Sequence, residues 1–131
     1  MNFIPVAKQN AVEVSNFEFS SLDLDIDRLL IENPSATYIG LAEGQSMVDA
    51  GIFSGDLLII SRAQQVKDGD VIVACLNGVF VVKKVDKQNN SLLPAAKGYV
   101  SYVLQPGDEF QIEGVVTQSI RLHRPLNLNI Q

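Results

Sequence analysis

Val71-Ile72-Val73-Ala74-Cys75-Leu76-Asn77-Gly78-Val79-Phe80-Val81-Val82-Lys83-Lys84-Val85 is two β-rich runs joined by a two-residue break. β-Branched and aromatic side chains suit a pleated, half-buried surface. An Asn-Gly pair between two such runs marks a tight hairpin, because both turn positions then take positive φ. In that register Leu76 faces Val79 and Ile72 faces Lys83. Side chains alternate along a strand, so Val79, Val81, Lys83 and Val85 share one face while Phe80, Val82 and Lys84 share the other. Both faces are apolar, and alternation alone leaves open which lysine is buried.

Working outward, the same signals predict strands at Ala36-Thr37-Tyr38-Ile39, Asp56 to Ser61, Asp70 to Leu76, Val79 to Val85 and Glu109 to Leu122, separated by turns containing Gly, Asp and Asn. Ahead of them Ile26, Leu29 and Leu30 fall at i, i+3 and i+4, Asp25 can cap, and Pro34 ends the turn, which predicts one short helix. Residues 1–24 carry scattered apolar side chains without helical period and read as an extended arm; residues 126–131 read as a tail. Residues 25–125 are then one mostly β domain of antiparallel sheets.

Composition narrows the class. A chain of 131 residues is the size of one domain able to bury a core. Its net charge of −5, without a Lys/Arg cluster, argues against direct nucleic-acid binding, because phosphate contacts need clustered cations. The single cysteine, Cys75, excludes an internal disulfide and lies in an apolar run, so it reads as a buried strand residue of a protein kept in a reducing compartment. With His123 the only histidine, neither a metal site nor a cofactor is expected. No stretch reaches the roughly 20 apolar residues that span a bilayer, and nothing resembles a signal peptide, so a cytoplasmic protein is expected.

Chemistry enters with Ser46, in Glu43-Gly44-Gln45-Ser46-Met47, and Lys83. A serine hydroxyl is a poor nucleophile unless a neighbouring base takes its proton, and a lysine can do so once it has lost its own. β-Branched neighbours around Lys83 would favour its neutral form. The plainer readings are an ordinary turn at Ser46, packing for Met47, and turn residues for Asp56, Asp70 and Asp108, each of which follows a glycine.

The flanking residues favour the sharper reading. Pro34-Ser35-Ala36-Thr37-Tyr38, Gly44-Gln45-Ser46-Met47 with Asp49 and Gly51, Ser54-Gly55-Asp56-Leu57-Leu58-Ile59-Ile60, Gly69-Asp70-Val71-Ile72-Val73-Ala74, Phe80-Val81-Val82-Lys83-Lys84, Leu93-Pro94 and Gly114-Val115-Val116-Thr117 together resemble the UmuD branch of the LexA-like, S24-type self-cleaving peptidases. The resemblance covers Asp25 to about His123. It implies Ser46 as nucleophile, Lys83 as general base, and the backbone N–H groups of Ser46 and Met47 as oxyanion donors. It also implies a fold like the LexA C-terminal domain, with curled antiparallel sheets. By resemblance the partners are a second copy, a Y-family polymerase of the UmuC type, and the RecA filament, in SOS-induced translesion synthesis.

One departure bears on the reaction. Relatives that cleave themselves do so at Ala-Gly or Cys-Gly ahead of the nucleophile, whereas the only glycine bonds here before Ser46 are Ile39-Gly40 and Glu43-Gly44. The expectation is therefore a short form that does not cut itself, with an unusual bond between Ala7 and Ser21 as the alternative. Two rival classes remain. A non-catalytic oligomerisation module of a repressor predicts a helix-turn-helix, for which residues 1–24 leave no room. A free-standing soluble peptidase predicts an open groove beside Ser46.

Overall fold

Seven strands carry the fold: β1 (Thr37–Leu41), β2 (Leu57–Ser61), β3 (Val71–Leu76), β4 (Val79–Asp86), β5 (Ser91–Leu93), β6 (Tyr102–Val103) and β7 (Phe110–Ile120). The computed structural model describes residue 28 and residues 30–124. The chain divides between Glu32 and Asn33 into two units, and every strand belongs to the second. Arg28 and Leu30 are helical; the rest of the helix predicted from Asp25, with its cap, lies outside the described residues, as do the arm and the tail. Pro34–Ala36 forms a single 3-10 turn leading into β1.

The fold is mostly β, as the sequence predicts. The strands make one open antiparallel sheet in the order β1-β2-β7-β3-β4-β5-β6. The β3–β4 hairpin has the predicted register, with Leu76 opposite Val79 and Ile72 opposite Lys83. Its turn residues have φ of 51° at Asn77 and 83° at Gly78, the left-handed pair that such a turn requires. Cys75 lies on β3 but is only half-buried, against the expectation of a buried thiol. It is paired with Phe80, which is 69% exposed, because the hairpin tip projects past the core.

Last in sequence, β7 is central in the sheet, and both interruptions of its pairing show in the register. Ile59 lies opposite Gln118 but Ile60 opposite Val116, leaving Thr117 as an extra residue. Val73 lies opposite Gly114 but Ala74 opposite Ile112, leaving Glu113 as another. Such bulges bend a strand and sharpen its twist. They also reset which face each residue meets: Phe110, Ile112 and Val115 pack with Ile72, Ala74 and Leu92, while Val116 packs on the other side with Leu58, Ile60 and Val73.

Between the bulges, Gly114 brings β7 against β2. A Cβ there would lie 2.7 Å from Ile60 Cγ2 and 2.9 Å from the Ser61 carbonyl oxygen. Backbone cannot move aside as a side chain can, so Gly114→Ala is expected to cost about 2 kcal/mol or more in a denaturant titration. At Gly40 an added Cβ would meet only the end of Ile60, at 3.0 Å, and Gly40→Ala is the milder control.

Candidate active site

Ser46 sits in the loop between β1 and β2, at the mouth of a short turn. Gly44 takes φ 97°, which opens the approach to the serine. Met47 then enters the 3-10 turn Val48–Ala50, which Gly51 closes in the left-handed region at φ 81°. Met47 is buried against Ala42, Ile52, Leu58 and Ile60, so its side chain anchors the turn in the core, as its plainer reading predicts. The base of the loop is held by two bonds, Ala42 N–H to Asp56 O at 2.9 Å and Gly55 N–H to Ala42 O at 2.8 Å.

Two attachments complete the loop. Asp56, only 1% exposed, accepts from Arg121 Nε at 3.0 Å and Nη2 at 3.2 Å, and from the Phe53 backbone N–H at 2.9 Å. Arg121 also donates to the Gly51 carbonyl at 3.2 Å and stacks on the Phe53 ring at 4.0 Å. The guanidinium holds the Asp56 carboxyl below its ordinary value, against the opposing effect of burial. On the other side, Ala95 N–H donates to the Ser46 carbonyl at 2.7 Å, and Asp49 N–H donates to the Ala95 carbonyl at 2.6 Å.

Ser46, Met47 and Lys83 line one cavity of about 510 Å³. Tyr38, Gly40 and Leu41 of β1 form one side, Phe80 to Lys83 of β4 form the other, and Ile52, Leu58, Ile60 and Val73 lie between. Among the described residues both bounding strands offer open edges. β1 ends the sheet, and β4 pairs with β5 only through Lys84, Val85 and Asp86. The hairpin turn and the Ser46 loop thus bring together residues far apart in sequence.

Burial holds the Lys83 ammonium below the ordinary lysine value, because a charged group loses hydration there. Glu43 lines the same cavity, but no ion pair joins it or any other carboxylate of the described residues to Lys83, so nothing opposes that shift. No hydrogen bond joins Ser46 Oγ to Lys83 Nζ, and neither atom is bonded to any other described residue. The backbone N–H groups of Ser46 and Met47 likewise donate to none of them. No group of three or more His, Cys, Asp or Glu among the described residues is placed to hold a metal ion.

The model of the Peptidase S24-like family matches residues 7–117. The chain belongs to that family. Within it the chain is UmuD-like. It is 36% identical to Protein SamA of Salmonella typhimurium over 108 residues, 82% of this chain and 75% of SamA. It is 33% identical to Protein MucA of Escherichia coli over 107 residues, 80% of this chain and 73% of MucA. LexA repressor 2 of Pseudomonas putida is 36% identical over 106 residues, 76% of this chain but 52% of the repressor.

For this S24-like chain the sequence reading missed the two attachments of the Ser46 loop. Asp56 does occupy the predicted turn, with its backbone N–H bonded to the Phe53 carbonyl, but its main partner lies 65 positions away and no local pattern announces it. Leu93-Pro94 was visible as a matching motif without a role. Asp70 and Asp108 do serve turns, accepting from the Lys67 and Gln105 backbone N–H groups.

Proposed function

We propose that this chain is a UmuD-like SOS mutagenesis protein in which Ser46 and Lys83 form a serine–lysine peptidase dyad. It acts as a cytoplasmic homodimer with a UmuC-type Y-family DNA polymerase in translesion synthesis, and responds to RecA filaments. Its parts are an arm over residues 1–24, the peptidase-like domain over 25–125 and a tail over 126–131. The observation that carries the chemical part of this reading is the convergence of Ser46 and Lys83 on one cavity, in a chain of the S24-like family.

Neutral Lys83 accepts the Ser46 proton as Oγ attacks a peptide carbonyl. The Ser46 and Met47 N–H groups receive the developing oxyanion. The lysine, now protonated, gives its proton to the leaving amine, and water activated by the same lysine releases the acyl group. Intact-mass spectrometry of wild type, Ser46→Ala and Lys83→Ala, incubated at alkaline pH with activated RecA filaments, tests the dyad. A fragment formed by wild type and by neither variant would establish a self-cleaving dyad and locate an unusual bond, against the short form expected not to cut itself. Equal masses throughout would sink self-cleavage and leave copurification with a UmuC-type polymerase as the measure of the remaining reading.

The open cavity supports a second reading, a peptidase acting on external chains. An extended peptide could add to the free edge of β1 or β4 through main-chain hydrogen bonds. Incubation with unrelated peptides separates the two, since only an external-substrate peptidase cleaves them.

A further inference from the structure

We propose that Leu93-Pro94-Ala95 is a positioning strap that sets the separation of Ser46 and Lys83. The inference rests on the dyad reading above. Leu93 is paired with Lys84, the neighbour of Lys83 on β4. Pro94 fixes its own φ near −65°, and the next residue is already bonded to the nucleophile turn at two points: Ala95 N–H to the Ser46 carbonyl at 2.7 Å, and Asp49 N–H to the Ala95 carbonyl at 2.6 Å. Ala95 also packs against the cluster that holds Met47. The chain thus passes from the strand paired with the lysine strand to the turn that follows Ser46 within three residues.

The alternative route between the two groups is long and irregular. Through the sheet, β4 reaches β1 only across β3, β7 and β2, and two of those pairings carry a bulge. Each strand step is about 4.8 Å with a variable twist, so small errors along that route accumulate. A proton transfer tolerates little of this, because hydrogen-bond reach between donor and acceptor spans only about 0.5 Å. The strap replaces the long route by two short hydrogen bonds and one stiff residue. Its role is to hold Ser46 relative to its base; it does not itself touch substrate.

The test is a double-mutant cycle. Pro94→Gly loosens the strap while keeping the Ala95 donor, and Lys97→Ala, exposed beyond it, is the control. Labelling of Ser46 by a fluorophosphonate, followed by intact mass, is expected to slow about 100-fold in Pro94→Gly and to remain unchanged in Lys97→Ala. If the strap works through the dyad, Lys83→Ala and Pro94→Gly/Lys83→Ala label at the same slow rate. Additive losses would mean that the strap merely keeps the loop folded, and would overturn the inference.

A second readout is independent of activity. In a Cys75→Ser background, Ser46→Cys/Lys83→Cys is treated with a short bis-maleimide. Cross-linking is expected to fall about tenfold or more when Pro94→Gly is added, and an unchanged rate overturns the strap. Wild type that never labels, with cross-linking that still depends on Pro94, would refute the peptidase reading and leave the strap standing.

Discussion

Lys83→Arg is expected to lower the rate of Ser46 acylation about 1,000-fold, as severely as Lys83→Ala. Arginine keeps the length and the charge but holds its proton at any accessible pH, so it cannot serve as base. Wild type works in the opposite sense. In the proposed dyad the reactive species is neutral Lys83, and the rate is therefore expected to rise with pH through its pKa. Burial lowers that pKa, so the midpoint is expected below the roughly 10.4 of a free lysine. A fluorophosphonate rate measured across pH checks both points. An arginine variant that keeps its rate, or a flat pH profile in wild type, would remove Lys83 from the mechanism.

The same burial has a stability signature. The folded state binds the Lys83 proton less tightly than the unfolded state, so this group destabilises the fold at neutral pH, and the penalty disappears as pH rises above the unfolded value. Lys83→Met is accordingly expected to melt at a higher temperature than wild type while losing its reactivity. That combination separates a lost base from a damaged fold.

Arg121→Ala is expected to destabilise the fold near neutral pH more than any other change to this ion pair. The loss comes less from the ion pair than from the orphaned carboxylate left behind, since Asp56 is 1% exposed. Asp56→Asn should cost less, because the amide oxygen can still accept from the Phe53 N–H, and the released arginine is already half-exposed at 48%. The sign of the pH dependence discriminates further. In wild type the Asp56 pKa is lowered in the fold, so its stabilisation is complete above the unfolded value near 4 and is lost as pH falls through the folded value beneath it. In Arg121→Ala, burial without a cation raises the folded pKa, and acidification then favours the folded state until both forms are protonated. Urea titrations of the two proteins at several pH values measure this. Parallel pH profiles would show that Arg121 does not govern Asp56.

The sequence was most legible where local chemistry dictates the backbone. Asn77-Gly78 specified both the turn and the pairing of Ile72 with Lys83, because a two-residue loop leaves one register. The Ser46 loop was announced by Gly44, Gly51 and Gly55, all at positive φ. β5 and β6 escaped notice because strands of three and two residues are too short to show alternation. The bulges at Glu113 and Thr117 could not be read either, since an extra residue exists only relative to its partner strand. For the same reason the pairing of Ser46 with Lys83, as distinct from their types, rested on resemblance: the cavity that both residues line has its two walls on strands with three others between them.

The position of β7 has a consequence for how the molecule comes into being. β1 and β2 can pair early in synthesis, and so can β3 and β4, but the two groups are neighbours only through a strand that begins at Phe110. Pairing of such sequence-distant strands is intrinsically slow. A nascent chain therefore carries Ser46 and Lys83 on separate pieces of sheet until β7 has emerged, tied meanwhile by the Leu93-Pro94-Ala95 segment alone, and the sheet that bounds their shared cavity closes last.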